Sequence, residues 1–453
     1  MIILDALSDV LGSPEIIDGQ SVEPRFLQDE GGGVSGKPLG LVRPRSTEEM
    51  SRALSLCHEF TQPVVIQGGR TGMAHAALPR DGELIISLER INAIEAVDER
   101  AGTMTLGAGC ILQVAQEAAS DAGWQLALDI GSRGSCTIGG LIATNAGGHQ
   151  VMRHGMMRDH VLGLEAVLPD GTVLSSMRGL LKDNTGYDLS QLIAGSEGTL
   201  AVITRAVLRL RPPPLHIETA LCAFRTYEDL TAALASLHAK LPGQLSAFEA
   251  MWRGYLAAAA KLPGHSAPFA DDHAIIVLVE SEGGVPGALQ AALEVVLEAK
   301  LVADALVAQS ERDRQAFWKL RDAIGPLVER MSCVEPFDVS APQQIIGNLV
   351  EELEAKISQD LPQVQSLFFG HIGDGNLHLA LSLDSEDQRE AAESIVYNAV
   401  SQCGGSISAE HGIGMLKKAW LSHSRSPAEI ATMRAIRTAI DPKQILNRGR
   451  IFD

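Results

Sequence analysis

Gly134-Ser135-Cys136-Thr137-Ile138-Gly139-Gly140, followed after Leu141-Ile142 by Ala143-Thr144-Asn145-Ala146-Gly147-Gly148, is the stretch on which the fold turns. Side chains this small and this dense leave little to pack, so the backbone itself is approached closely by something flat or anionic. Three similar clusters lie in the same part of the chain: Gly68-Gly69-Arg70-Thr71-Gly72, Lys182 to Asp188, and Gly195-Ser196-Glu197-Gly198-Thr199-Leu200. The first follows an apolar strand, Pro63-Val64-Val65-Ile66-Gln67. A glycine turn in that position offers successive backbone N–H groups as a nest for a phosphate or pyrophosphate. Each cluster alone reads equally well as an ordinary tight turn, but four in one domain point to a large nucleotide cofactor. The spacing is not that of a Rossmann fold, because no GxGxxG opens a helix with an acid about 20 residues on.

The chain has 453 residues and is 45% hydrophobic, too long for one ordinary core, so more than one domain is expected. Pro212-Pro213-Pro214 can continue neither strand nor helix and marks the natural boundary between a glycine-rich first domain and an Ala- and Leu-rich segment of alternating helices and strands. A net charge of −19 repels phosphate backbones, which excludes nucleic acid as a partner and favours a soluble protein. The six cysteines, at 57, 110, 136, 222, 333 and 403, form no CxxC pair, and the reading is a reducing, cytoplasmic location. Met1 to Asp5 lacks the basic start and long apolar core of a signal peptide, and no apolar run reaches membrane-spanning length.

A second kind of motif begins at Gly370. Gly370 to His378 reads GHIGDGNLH, and Glu410-His411-Gly412-Ile413-Gly414 follows it. Two histidines bracket one glycine-rich turn, and a carboxylate with a third histidine stands on another. That donor mixture suits a divalent transition metal, zinc or manganese. The alternative is that His371 and His378 merely flank a hairpin turn between two apolar runs while Glu410 caps a helix.

Taken in order, the motifs QGGRTG from Gln67, GSCTIGGLIATNAGG from Gly134, HVLGLEAVLPDGTVL from His160, KDNTGYDL from Lys182, GSEGTL from Gly195, WKLRDAI from Trp318, GHIGDGNLHL from Gly370, EHGIG from Glu410 and DPKQILNRGRIF from Asp441 resemble the FAD-linked D-2-hydroxyacid dehydrogenases of the vanillyl-alcohol oxidase and p-cresol methylhydroxylase superfamily. The resemblance implies an α+β fold. Residues 1–34 would be an N-terminal segment and 35–212 a two-subdomain FAD-binding domain. A cap domain on an antiparallel sheet would span 215–405, and residues 406–453 would return to the flavin. It implies FAD contacts at Gly68, Gly69, Arg70, Thr71, Gly72, Gly134, Ser135, Ile138, Gly139, Asn145, Gly147, Gly148, Glu197, Gly198 and Ile203. It implies metal ligands at His371, His378 and Glu410, a base at His411 and a substrate-carboxylate clamp at Arg321. Without the motif, Arg321 would read as a solvated helix charge among Arg312, Arg314, Lys319 and Asp322. Arg70 stands where some relatives carry the histidine that attaches the flavin, so the FAD is expected to be non-covalent.

The chemistry is coherent without the family. Oxidising a 2-hydroxy acid requires removing the O–H proton while the carbon-bound hydrogen leaves as hydride; a divalent metal on the hydroxyl would lower its pKa, a nearby histidine would accept the proton and a flavin would take the hydride. Three positions depart from the branch that oxidises D-2-hydroxyglutarate: Gly325, Pro336 and Ala380 replace a threonine, a lysine and an asparagine that hold the distal carboxylate. The expected substrate is therefore D-lactate or a D-2-hydroxy acid with an apolar side chain. D-2-hydroxyglutarate is the alternative, as is a non-catalytic flavin subunit of a glycolate-oxidase-type complex. An electron-transfer flavoprotein, a quinone or a cytochrome would accept the electrons, and a homodimer is compatible with the sequence.

Overall fold

In the computed structural model, residues 3–12 and 15–453 are described. Met1 and Ile2, part of the stretch read above for a leader, lie outside the described residues, as do Ser13 and Pro14. The chain divides into two units, Met1–Gly148 with Gly155–Pro213 and Glu410–Asp453, and His149–His154 with Pro214–Ala409.

The first unit is built on two sheets. Four short strands, β1 (Ile16–Asp18), β2 (Gly40–Val42), β3 (Val64–Gln67) and β4 (Leu84–Ser87), pair in the order β1-β2-β4-β3, with β2, β4 and β3 parallel. The apolar runs of β2, β3 and β4 are almost wholly buried, as a parallel layer covered on its faces requires. One cover is the helix Thr47–Phe60. Ser46 Oγ accepts from the Glu49 N–H at 3.2 Å, while the Glu49 carboxylate accepts from the Arg45 N–H at 2.8 Å. That helix turns Met50, Ala53, Leu54 and Cys57, at helical spacing, into a core shared with Val42, Val64, Leu84 and Ile86. The second sheet, β5 (Ile94–Asp98), β6 (Thr103–Gly107), β7 (Val161–Val167), β8 (Val173–Ser176) and β9 (Val202–Arg209), is antiparallel in the order β5-β6-β9-β7-β8.

The last forty or so residues belong to this unit, tied by backbone and buried side chains. Val64 N–H donates to Ile445 O at 2.8 Å, and Asn447 N–H donates to Val64 O at 3.0 Å. Arg450 is fully buried, donating to Glu83 Oε1 at 2.6 Å and Oε2 at 3.0 Å. A buried arginine of this kind is tolerable because its partner carboxylate neutralises it in place.

The second unit carries one seven-stranded antiparallel sheet: β10 (Ile217–Phe224), β11 (Leu245–Trp252), β12 (Ile275–Glu282), β13 (Asp304–Val307), β14 (Cys333–Ser340), β15 (Gln365–His371) and β16 (Asn376–Leu383), in the order β13-β10-β12-β11-β15-β16-β14. The two central strands β11 and β12 are buried along their whole length, acids included. The helix Glu311–Arg321, capped by Ser310 Oγ accepting from the Asp313 N–H at 3.2 Å, brings the WKLRD motif to this sheet. Trp318 Nε1 and Arg314 Nε both donate to the buried Glu280 carboxylate of β12 at 2.9 Å.

Candidate active site

In the first unit the glycine clusters converge on a cleft of about 610 Å³, within the range of small-molecule sites. Gly68, Gly69, Arg70, Thr71, Gly72, Ser135, Gly139, Gly147, Gly148, Glu197, Gly198 and Ile203 line it, joined by Glu410 and His411. The sequence reason is steric. A Cβ on Gly69 would stand 2.2 Å from Ser135 O, so the two glycine turns approach each other closely only without side chains. Thr137 Oγ1, buried at the start of the helix Ile138–Thr144, has no hydrogen-bond partner among the described residues. A glycine-lined cleft with an unused buried donor fits a flavin dinucleotide.

Three expected contacts lie elsewhere. Ile138 is fully buried in the core. Asn145 caps its helix at φ 48° and accepts from the Arg158 N–H at 3.0 Å. Gly134 stands outside the lining. The KDNTGYDL cluster also lies outside it, with Tyr187 96% exposed.

The Glu410–Gly414 loop is held to this cleft. Glu410 is not a helix cap; its Oε1 accepts from the Gly148 N–H at 2.7 Å. Glu197 accepts from the Ile413 and Gly414 N–H groups, both at 2.8 Å. Burial pushes the Glu197 carboxyl up, and those N–H groups and Lys417 pull it back. Asn447 Nδ2 donates to Glu197 O at 2.6 Å. The Glu197 carboxylate is thus committed to the loop that carries His411.

In the second unit the stretch GHIGDGNLH is indeed a β-hairpin, His371 ending β15 and His378 lying on β16. The hairpin alone does not account for the side chains. The two rings stand 5.1 Å apart at 83°, and Asp338 Oδ1 lies 3.8 Å from His378 Nδ1. Arg321 is not a solvated helix charge. It is 6% exposed, and its Nε donates to Glu249 Oε2 at 2.8 Å. His371 Nδ1 lies 2.7 Å from Glu249 Oε1, and Arg321 Nη2 is 3.4 Å from His371 Nε2. Burial alone would raise the Glu249 carboxyl, yet His371 and Arg321 hold it well below the usual carboxylate range.

Glu249 and His149 were not singled out from the sequence. The signal for Glu249 was there, a lone acid in the apolar run Leu245-Ser246-Ala247-Phe248-Glu249-Ala250-Met251-Trp252. His149 follows directly on Gly147-Gly148, and its ring lies 5.0 Å from Trp318 and 5.3 Å from His371. His149, Glu249 and His371 can each bring one donor atom within 4.8 Å of the others. Both Glu249 oxygens are already bonded, however, and the Arg321 cation adjoins them, so this trio is a poor place for a second cation.

Beside the cluster the surroundings are apolar. Ala380 pairs with Pro336 across β16 and β14 and packs with Met251, Tyr255, Leu320 and Phe369. The six cysteines are free, and among the described residues no helix is long and apolar enough to cross a membrane.

Cleft and cluster on these sheets define a flavoprotein of the p-cresol methylhydroxylase fold. A solved p-cresol methylhydroxylase with substrate bound superposes with a TM-score of 0.77 at 14% identity, covering 100% of this chain and 96% of that one. An alkyldihydroxyacetonephosphate synthase does so at 0.76 and 19% identity, covering 98% and 84%. Residues 38–176 match the family described as FAD binding domain, and residues 213–451 match FAD linked oxidases, C-terminal domain. The mitochondrial D-2-hydroxyglutarate dehydrogenase of Bos taurus is 38% identical over 98% of this chain and 82% of its own length. A putative mitochondrial D-lactate dehydrogenase of Schizosaccharomyces pombe is 36% identical over 91% and 81%. A D-2-hydroxyglutarate dehydrogenase of Xanthomonas citri pv. viticola is 37% identical over 92% and 89%. The chain belongs to the FAD-linked D-2-hydroxyacid dehydrogenases, oxidoreductases of CH–OH donors.

Proposed function

We propose that this protein oxidises a D-2-hydroxy monocarboxylic acid, D-lactate or an analogue with an apolar side chain, to the 2-oxo acid, using non-covalent FAD and a divalent metal, zinc or manganese. The observation that carries the reading is Arg321, a buried guanidinium beside the His371 imidazole, with an apolar cluster around Ala380 next to it. FAD in the glycine-lined cleft would supply the acceptor for the carbon-bound hydrogen. A metal held by His371, His378 and Glu410 would supply a Lewis acid for the hydroxyl, and imidazole and carboxylate donors suit zinc and manganese.

The remaining work falls to the chain's own groups. Arg321 grips the substrate carboxylate with its planar fork, its plane held by Glu249 and by the Phe369 ring 5.5 Å away. An imidazole nitrogen of His411 takes the hydroxyl proton near neutral pH. The substrate tail gains by burial against the apolar side chains near Ala380, whereas a second carboxylate there would lose several kcal/mol without a donor. Arg253 does not stand ready to supply one, since its Nε is paired with Asp272 at 3.2 Å and both are mostly exposed.

Kinetics on D-lactate, D-2-hydroxybutyrate, D-mandelate and D-2-hydroxyglutarate with an artificial acceptor test the proposal. Higher kcat/KM on the monocarboxylates is expected, with little activity on L-enantiomers. The names of the bovine and bacterial relatives favour a second reading, D-2-hydroxyglutarate as substrate, and a clear preference for that dicarboxylate establishes it instead. Heat or acid should release FAD into the supernatant, and flavin remaining on the precipitated chain contradicts non-covalent binding.

A further inference from the structure

We infer that Glu249 is the positioning residue of the site: one buried carboxylate sets both the lone pair that His371 offers to a metal and the edge that Arg321 offers to the substrate carboxylate. The inference rests on the function proposed above. Glu249 is 1% exposed in the middle of β11, and each of its oxygens has one partner, His371 Nδ1 on Oε1 and Arg321 Nε on Oε2.

The tautomer follows from two contacts that agree. An ionised carboxylate only accepts, so the Nδ1 of His371 at 2.7 Å carries the proton and donates. Arg321 only donates, so the Nε2 facing its Nη2 at 3.4 Å holds the lone pair. A carboxylate behind a ligating histidine fixes ring orientation and raises ligand basicity in just this way.

The same logic applies to Arg321. Its Nε is spent on Glu249, while Nη2 and Nη1 make long contacts among the described residues, at 3.4 Å to His371 and 3.6 Å to Asp322. Tyr255 Oη donates to Arg321 O at 2.5 Å, and the Phe369 ring flanks the guanidinium. The residue is thereby held at its base and along its plane, leaving its terminal nitrogens for a planar anion. Glutamine cannot replace Glu249 in both duties, because its amide offers one acceptor where two donors approach.

The experiment compares wild type with Glu249→Gln, both loaded with FAD. Zinc affinity is read by competition with a chromogenic chelator, and KM and kcat are read on the best D-2-hydroxy acid at saturating zinc. Expected are a zinc affinity lower by about 10- to 100-fold and a raised KM, with flavin content unchanged and kcat reduced less than KM is raised. A folded, flavin-loaded Glu249→Gln protein with wild-type zinc affinity and wild-type KM overturns the inference. Wild type that binds no zinc or manganese overturns the metal part of the proposed function instead, and KM then decides the Arg321 arm of this inference. Should Glu249→Gln fail to fold, ring 15N shifts of chelator-treated wild type, assigned against His371→Gln, still decide: a protonated Nδ1 on His371 supports the inference, and a protonated Nε2 sinks it.

Discussion

The two units build their sites by opposite means. In the first, the cleft is lined by residues without side chains, Gly68, Gly69, Gly139, Gly147 and Gly148, and at Gly69 and Gly148 another stretch of backbone comes too close to leave room for a Cβ. In the second, polar side chains are buried together: Glu249 on the sheet, His371 at the end of β15 and Arg321 on the helix Glu311–Arg321 interlock. The difference suits the two ligands of the proposed function. A dinucleotide is large and is held by many weak backbone contacts, whereas a small hydroxy acid must be seized by a few strong, directed ones. Robustness divides accordingly. One lost backbone contact in the first unit leaves many, while one lost charge in the second leaves its partner buried and unpaired.

Reciprocal losses test this division and have the largest expected effect. His378→Ala should abolish metal binding and nearly all turnover while the protein stays yellow. Gly69→Val, whose Cβ would lie 2.2 Å from Ser135 O, should give flavin-free protein that still takes up zinc. Flavin and metal content measured side by side settle it; either variant losing both ligands breaks the separation.

His411 sharpens the comparison from the first unit's side. It lines the flavin cleft, yet its proposed duty is proton transfer. His411→Ala should keep flavin and metal and slow flavin reduction by about 10²- to 10⁴-fold. Stopped-flow absorbance reads this, and an unchanged rate moves the base to another group.

Next in size is the anchorage of the loop behind His411. Glu197→Ala leaves the N–H groups of Ile413 and Gly414 without their carboxyl acceptor, at a cost of about 3 kcal/mol. A lowered Tm and weaker FAD retention are expected, and an unchanged Tm argues against that anchorage.

The smallest effect concerns Asp29 in the first unit, raised from the ordinary 3.8 to about 7 chiefly by burial, against the Gly31 N–H and with help from Glu30. A raised carboxyl means the folded state holds its proton more tightly, so its contribution is present at low pH and is lost as pH rises from about 4 to about 7. Asp29→Asn should therefore gain stability over wild type at pH 8 relative to pH 5, by roughly a degree or two of Tm. Melting curves at the two pH values check it; an equal difference at both removes the effect.

The sequence, by its residue types and spacing, determined that the first part of the chain is glycine-built for a nucleotide, that the chain carries FAD-family motifs in order, and that a glycine-rich turn separates His371 from His378. Each of these is local: small residues close together compel close backbone approach, and paired apolar runs around a glycine turn compel a hairpin. Which face a residue presents is not local. Ile138 and Asn145 sit inside the glycine motif yet point into the core and cap a helix, because helix packing rather than motif membership sets their direction. Without its motif, Arg321 reads as one of several exposed helix charges; its burial is decided by the packing of its helix on the sheet. Glu249 meets Arg321 and His371 across 72 and 122 residues of chain. Only the strand order β12-β11-β15 and the docking of the helix Glu311–Arg321 bring those three together, since the partner that makes a buried charge tolerable is chosen by topology and not by sequence neighbours.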